Sequence, residues 1–198
     1  MFLLSKLEKY NVILASKSPR RQELLSQLGV RFTVCDSFIN ETVPQGLTHQ
    51  ETAQYLAQQK AEEAYYMFKN KKNLLVIGGD TIVTLNDIIM GKPNNRKQAM
   101  DMLRNLSGES HQVISGVSMV TKNKTITNYD ETTVLFESLS DEDILYYVDK
   151  YMPYDKAGAY GIQEWIGCRG VKSIEGSYFT VMGMPTNLIW SMLHEVTG

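Results

Sequence analysis

A short apolar run, Val12-Ile13-Leu14-Ala15, is followed by the polar stretch Ser16-Lys17-Ser18-Pro19-Arg20-Arg21-Gln22-Glu23 and then by Leu24-Leu25. A run of that length between polar residues reads as a buried strand. Pro19 after Ser18 reads as the first helical position behind a hydroxyl N-cap. Leu24, Leu25 and Leu28 give that helix a core face, and Gly29 supplies its stop. A second helix is predicted from Thr48 to about Lys69, with Glu51 completing a capping box and Ala53, Leu56, Ala57, Ala64 and Phe68 on one face. Leu74-Leu75-Val76-Ile77 is a second buried strand, expected to end in Gly78-Gly79-Asp80-Thr81. Ile82-Val83-Thr84-Leu85, turning at Asn86-Asp87 into Ile88-Ile89-Met90, reads as a hairpin.

Further along, a helix is expected over residues 96–106 with a stop at Gly108, and alternating segments at 111–120 and 125–136 read as two strands. Ser140 caps another helix, whose first turn holds Asp141, Glu142 and Asp143, the favourable charges for that place. A Gly- and Ala-rich loop at 155–161 is followed by short strands, and Pro185 opens a last helix through Leu188, Ile189, Met192 and Leu193. Early alternation of strands and helices, with hairpins later, makes this a mixed α/β protein.

Length and charge narrow the picture. At 198 residues the chain is one compact domain, or one domain with two lobes. A formal net charge of −2, with no basic stripe, argues against a nucleic-acid-binding module, so any phosphate must be held by a few local cations. Cys35 and Cys168 lie in no CxxC or Cys/His pattern, so neither a zinc site nor a disulfide framework is indicated, and a reducing compartment is the expectation. The N-terminus has neither signal-peptide order nor a membrane-spanning run, so cytoplasm is the expectation and no membrane partner is implied.

Three places can carry chemistry. Arg20 and Arg21 stand in a helix first turn, where the macrodipole already disfavours cations. They are either solvated surface residues or the walls of an anion site that also uses the turn's backbone N–H groups. Lys60 lies seven residues after Ala53, along the apolar face of its helix, and either snorkels to water or sends its ammonium into a cleft. Asp80 sits between two apolar runs, where a carboxylate costs several kcal/mol unless paired, hydrogen-bonded or ligated. It is either a loop acid bonded to nearby amides or a working carboxylate. His49, His111 and His194 are scattered without ligand spacing and read as surface or core residues. Tyr154, Tyr160 and Trp165 around the glycine-rich loop could stack on a base, although core packing is the commoner use.

The opening strand with Ser16-Lys17-Ser18-Pro19-Arg20-Arg21 resembles the signature of the Maf family of nucleoside triphosphate pyrophosphatases. Further similar pieces follow in order: Gly78-Gly79-Asp80-Thr81, Gly91-Lys92-Pro93, Ser107-Gly108, Tyr154-Asp155-Lys156-Ala157-Gly158-Ala159-Tyr160-Gly161-Ile162-Gln163, Gly176-Ser177-Tyr178 and Gly183-Met184-Pro185. The resemblance covers nearly the whole chain and implies a single Maf-like domain over 1–198. The implied fold is elongated and α/β, similar to inosine triphosphate pyrophosphatases, with a twisted mixed sheet split by a central cleft and helices outside.

The implied reaction is hydrolysis of a nucleoside triphosphate to monophosphate and pyrophosphate. Asp80 matches the family's catalytic carboxylate, and Glu41 with Asp80 is implied to hold a divalent metal, Mg²⁺ or Mn²⁺. Phosphate roles fall on Ser16, Arg21, Lys60, Lys92 and Lys156. Arg20, Thr81 and Gln163 match residues of the dTTP- and UTP-hydrolysing branch, and a homodimer is compatible with the resemblance. Glu164-Trp165 departs from the small residues more often found after the glutamine. The rival readings are the methylated-GTP branch of the family and a non-enzymatic nucleotide-binding regulator of division. The intact Asp80 and Glu41 argue against the second.

Overall fold

The computed structural model describes residues 2–36 and 42–198. The elements run α1 (Leu3–Leu7), β1 (Asn11–Ala15), α2 (Pro19–Gln27), β2 (Thr33–Cys35), α3 (His49–Phe68), β3 (Leu74–Leu85), β4 (Ile88–Met90) and α4 (Arg96–Leu106). They continue as β5 (Ser110–Val120), β6 (Thr125–Phe136), α5 (Asp141–Tyr151), a 3₁₀ turn (Ala157–Ala159), α6 (Trp165–Gly170), β7 (Val171–Glu175), α7 (Tyr178–Val181) and α8 (Thr186–Thr197). The strands form one seven-stranded mixed sheet in the order β2-β1-β3-β5-β6-β7, with β4 also paired to β3. β1 is parallel to both β2 and β3, whereas β3–β4 and β6–β7 are antiparallel. Among the described residues no helix is long and apolar enough to cross a membrane.

The chain divides into two compact units. The first comprises Met1–Asp80, Ser115–Asp130 and Gly183–Gly198. Its β1 is buried at every position after Asn11, as expected of a parallel strand covered on both faces. The α3 helix starts at the Thr48–Glu51 capping box and lays Ala53, Ala57, Ala61 and Ala64, all fully buried, against the sheet. Small side chains on that face let the helix approach very closely. A Cβ built on Gly78 would stand 2.4 Å from the Ala57 carbonyl oxygen, and one on Gly116 only 2.2 Å from that of Ala53. The glycine step therefore does not end the strand: β3 runs unbroken through Gly78-Gly79-Asp80-Thr81, and Gly78 and Gly116 mark where helix backbone crosses strand backbone.

The second unit comprises Thr81–Ile114 and Glu131–Met182. Asn86 and Asp87, with φ of 49° and 61°, form the turn between β3 and β4 as a type I′ hairpin requires. The core gathers Leu103 and Leu106 of α4, Phe136 of β6, and Ile144, Tyr147 and Val148 of α5. The short strands expected after the glycine-rich loop are instead one helix, α6, then a single strand, β7, and the short helix α7. Ile166 and Gly170 point inward at helical spacing from only six residues, too short a window for periodicity to tell helix from strand.

Buried His111 ties the glycine-rich loop to this core. Its Nε2 lies 2.8 Å from the Tyr160 hydroxyl, and its ring meets Phe136 edge-on at 5.0 Å. Tyr160 is thus a core residue and not a surface for base stacking. Burial lowers the His111 pKa from 6.5 to about 4, against a smaller opposing influence of the Glu109 backbone. That backbone contact is too weak to count as a bond, since Nδ1 has no hydrogen-bond partner among the described residues. The folded state therefore binds this proton less well than the unfolded chain. The contribution is complete above pH 6.5 and is lost as pH falls toward about 4. The full loss is about 3 kcal/mol. Thermal melts of wild type and His111→Gln across this window are expected to show a steeper pH dependence in the wild type; parallel curves would contradict this coupling.

Candidate active site

In the first unit the turn after β1 is organised by Ser16. Its Oγ accepts from the Ser18 N–H at 3.2 Å and from Arg21 Nη1 at 3.4 Å, leaving the hydroxyl proton as the donor. Ser18 is the N-cap of α2 by position, yet its side chain makes no capping bond. Arg21, which the sequence left between solvent and an anion site, reaches backbone carbonyls. Nε donates to Gly183 at 2.9 Å and Nη1 to Gly79 at 2.7 Å. One guanidinium thus ties the start of α2 to the glycine step of β3 and to the segment leading into α8.

The other end of that glycine step carries Asp80. Lys60 of α3 sets its Nζ 2.6 Å from Asp80 Oδ1, with each side chain 13% exposed. The lysine neither snorkels away nor stands apart from the carboxylate. The close approach of α3 at Gly78, two residues earlier on the same strand face, brings the two together. A charge-assisted hydrogen bond of this length fixes the carboxylate's position. Thr81, next along β3, turns its side chain to the opposite face, as strand alternation requires. Glu41, the second expected metal ligand, lies outside the described residues. Among those described, no group of three His, Cys, Asp or Glu side chains is arranged to hold a metal ion.

In the second unit the glycine-rich loop is braced at both ends. The Gly158 N–H donates to the Gly91 carbonyl at 3.1 Å, joining the loop to the Gly91-Lys92-Pro93 segment after β4. Gly158 adopts φ +68°, a conformation suited to glycine. Lys156 is buried, and its Nζ lies 2.7 Å from Asp155 Oδ1 and 3.1 Å from Glu164 Oε1. The other Glu164 oxygen accepts from the Tyr147 hydroxyl, whose own oxygen accepts the Gly161 N–H at 3.0 Å. Burial, then the hydrogen bond to Glu164, pushes the Tyr147 phenol well above its ordinary value, so it remains a donor. Lys92 and Gln163 are exposed.

The family described as Maf-like protein matches residues 11–196. The chain belongs to the Maf family. A Phocaeicola vulgatus protein named dTTP/UTP pyrophosphatase is 48% identical over 195 residues, covering 98% of this Maf chain and 100% of the relative. A protein of the same name from Parabacteroides distasonis is 47% identical, over 96% of this chain and 98% of its own. The Staphylococcus aureus Ham1 protein shares the fold with a TM-score of 0.52 at 18% identity, covering 94% of this chain and 99% of that one.

Within this Maf chain the structure brings Ser16 and Arg21 into one hydrogen-bonded turn and Lys60 onto Asp80. It pairs Lys156 with two carboxylates. The residues missed from sequence are Tyr147 and Gly116. Glu164 was visible only as a departure from the family pattern. Its acidic side chain, at the N-cap position just before α6, gave no sign that its partners stand eight and seventeen positions upstream.

Proposed function

We propose that this protein hydrolyses dTTP and UTP between the α and β phosphorus atoms, releasing the nucleoside monophosphate and pyrophosphate. The observation that carries the reading is the Lys60–Asp80 pair, a nearly buried carboxylate held by an ammonium at 2.6 Å. It stands in a chain whose curated relatives bear the dTTP/UTP pyrophosphatase name. Asp80 acts as general base, taking a proton from the attacking water. An ammonium has three N–H donors, so Lys60 can keep Asp80 in place and also donate to a phosphate oxygen. Ser16 donates its hydroxyl proton to the phosphate chain, and Arg21 and Lys92 offset its charge, about four negative charges for a triphosphate.

A divalent cation, Mg²⁺ or Mn²⁺, belongs to the proposal. Such ions are commonly held by one or two carboxylates together with substrate phosphates and water, and Asp80 with Glu41 fits that donor set. When bound, the ion supplies charge neutralisation and polarises a phosphoryl oxygen.

Base choice falls to Arg20, Thr81 and Gln163. Thymine and uracil present two carbonyl acceptors around one N3–H donor, whereas cytosine carries an acceptor at N3 and a donor amino group. The Gln163 amide offers an acceptor for N3–H and a donor for the neighbouring carbonyl. Arg20 donates to a carbonyl, and Thr81 positions base or ribose. dTTP and UTP are expected to be hydrolysed far faster than CTP and dATP in a nucleotide panel. Gln163→Leu should cost about 1–3 kcal/mol in kcat/KM for dTTP and narrow the gap to CTP. An equal loss on every nucleotide would assign Gln163 to the loop's support instead.

A further inference from the structure

We infer that the Asp155–Lys156–Glu164–Tyr147 cluster is a positioning clamp for the loop that ends in Gln163, and that Lys156 does not serve the phosphate chain. This rests on the nucleotide reading given above and assigns its recognition loop a support of its own. Charge is the first argument. Lys156 contributes one positive charge and meets two carboxylates, so the trio presents a net negative charge to any approaching anion. The lysine side chain is 9% exposed, and Glu164, the inner partner, is 20% exposed. Two carboxylates already lie within 3.1 Å of this ammonium, so most of its three N–H donors are engaged, and drawing it toward a phosphate would leave Glu164 without its cation.

Connectivity is the second argument. Glu164 divides its two oxygens between Lys156 and the Tyr147 hydroxyl, and Tyr147 passes the constraint to the Gly161 amide. Tyr147 is itself fully buried on α5, so the chain of bonds ends on a rigid element. The Gly161 backbone packs directly on the clamp. A Cβ there would come within 3.0 Å of Glu164 Cδ and of Lys156 Cε, so the step and the clamp are in close contact. The loop is thereby held through the side chains of Lys156 and Glu164 and the backbone of Gly161, leaving Gln163 exposed between Gly161 and Glu164. A side chain that reads a base gains affinity when its loop is already ordered, because less entropy is lost on binding.

The test measures, by calorimetry on the full chain, affinity for dTMP and for the non-hydrolysable α,β-methylene analogue of dTTP. Lys156→Met and Glu164→Ala are each expected to weaken both ligands by the same factor, about tenfold. A loss confined to the triphosphate analogue would place Lys156 on the phosphates, and no loss on either ligand would remove the clamp from recognition; both overturn the proposal. Tighter binding of the analogue by Glu164→Ala would overturn it equally. A ligand-free measurement separates this from the activity reading. Exchange of the Gly161 amide with deuterium should quicken by about tenfold in Tyr147→Phe and in Glu164→Ala. If wild type binds neither nucleotide, the activity reading has failed while amide exchange still judges the clamp. Unchanged Gly161 exchange in both variants means there is no clamp.

Discussion

Asp80→Asn is expected to lower kcat for dTTP by about 10²–10⁴-fold, the usual contribution of a general base. Asparagine keeps the shape and can still accept a hydrogen bond from Lys60, but it cannot take a proton from water. The effect should therefore fall on kcat, with nucleotide affinity changing much less. Losing the charge also leaves the Lys60 ammonium, 13% exposed, beside a neutral amide. A modest fall in Tm is expected alongside, so rates should be compared well below the melting transition. Near-normal kcat in the folded variant would make the Lys60–Asp80 pair a structural ion pair.

Gly116→Ala is expected to damage the fold severely for so small a change, costing about 3 kcal/mol or more. The new methyl carbon would lie 2.2 Å from the Ala53 carbonyl oxygen, 2.4 Å from its carbon and 2.8 Å from the Gln54 nitrogen. All three are backbone atoms of α3, so relief requires the helix to lift from the sheet. Lys60 would lift with it and leave Asp80, so activity should fall together with stability. Gly91→Ala is the control, because nothing stands within 4 Å of its added Cβ, and its stability should change by less than about 0.5 kcal/mol. Denaturant melts of the two variants decide the matter, and a Gly116→Ala protein as stable as wild type would contradict the close helix–strand crossing.

What could be read from sequence was local. The capping box at Thr48, the cap at Ser140, the Asn86-Asp87 turn and the stop at Gly108 each lie within a few residues of the element they bound, and the structure bears all of them out. The chain's α/β class and its Maf membership were legible for the same reason, through contiguous motifs. What failed depended on distant partners. Gly78-Gly79 was expected to end a strand, whereas β3 runs on through both and Gly78 admits α3 from 17 to 21 positions away. The short elements α1, β2 and α6 carry too few residues for a period to show. At the site, the sequence singled out Lys60 and Asp80 separately, and only the fold put 2.6 Å between them. Lys156 took its phosphate role from the family resemblance, and its contacts with Asp155 and Glu164 came into view only with the fold.

Product identity tests the central claim most directly. The purified protein, incubated with dTTP and Mg²⁺, should release pyrophosphate and dTMP in equal amounts, measured separately from orthophosphate, and EDTA should abolish turnover. Orthophosphate with dTDP would show attack at the γ-phosphorus and contradict the proposed reaction, and undiminished turnover in EDTA would take the metal out of it.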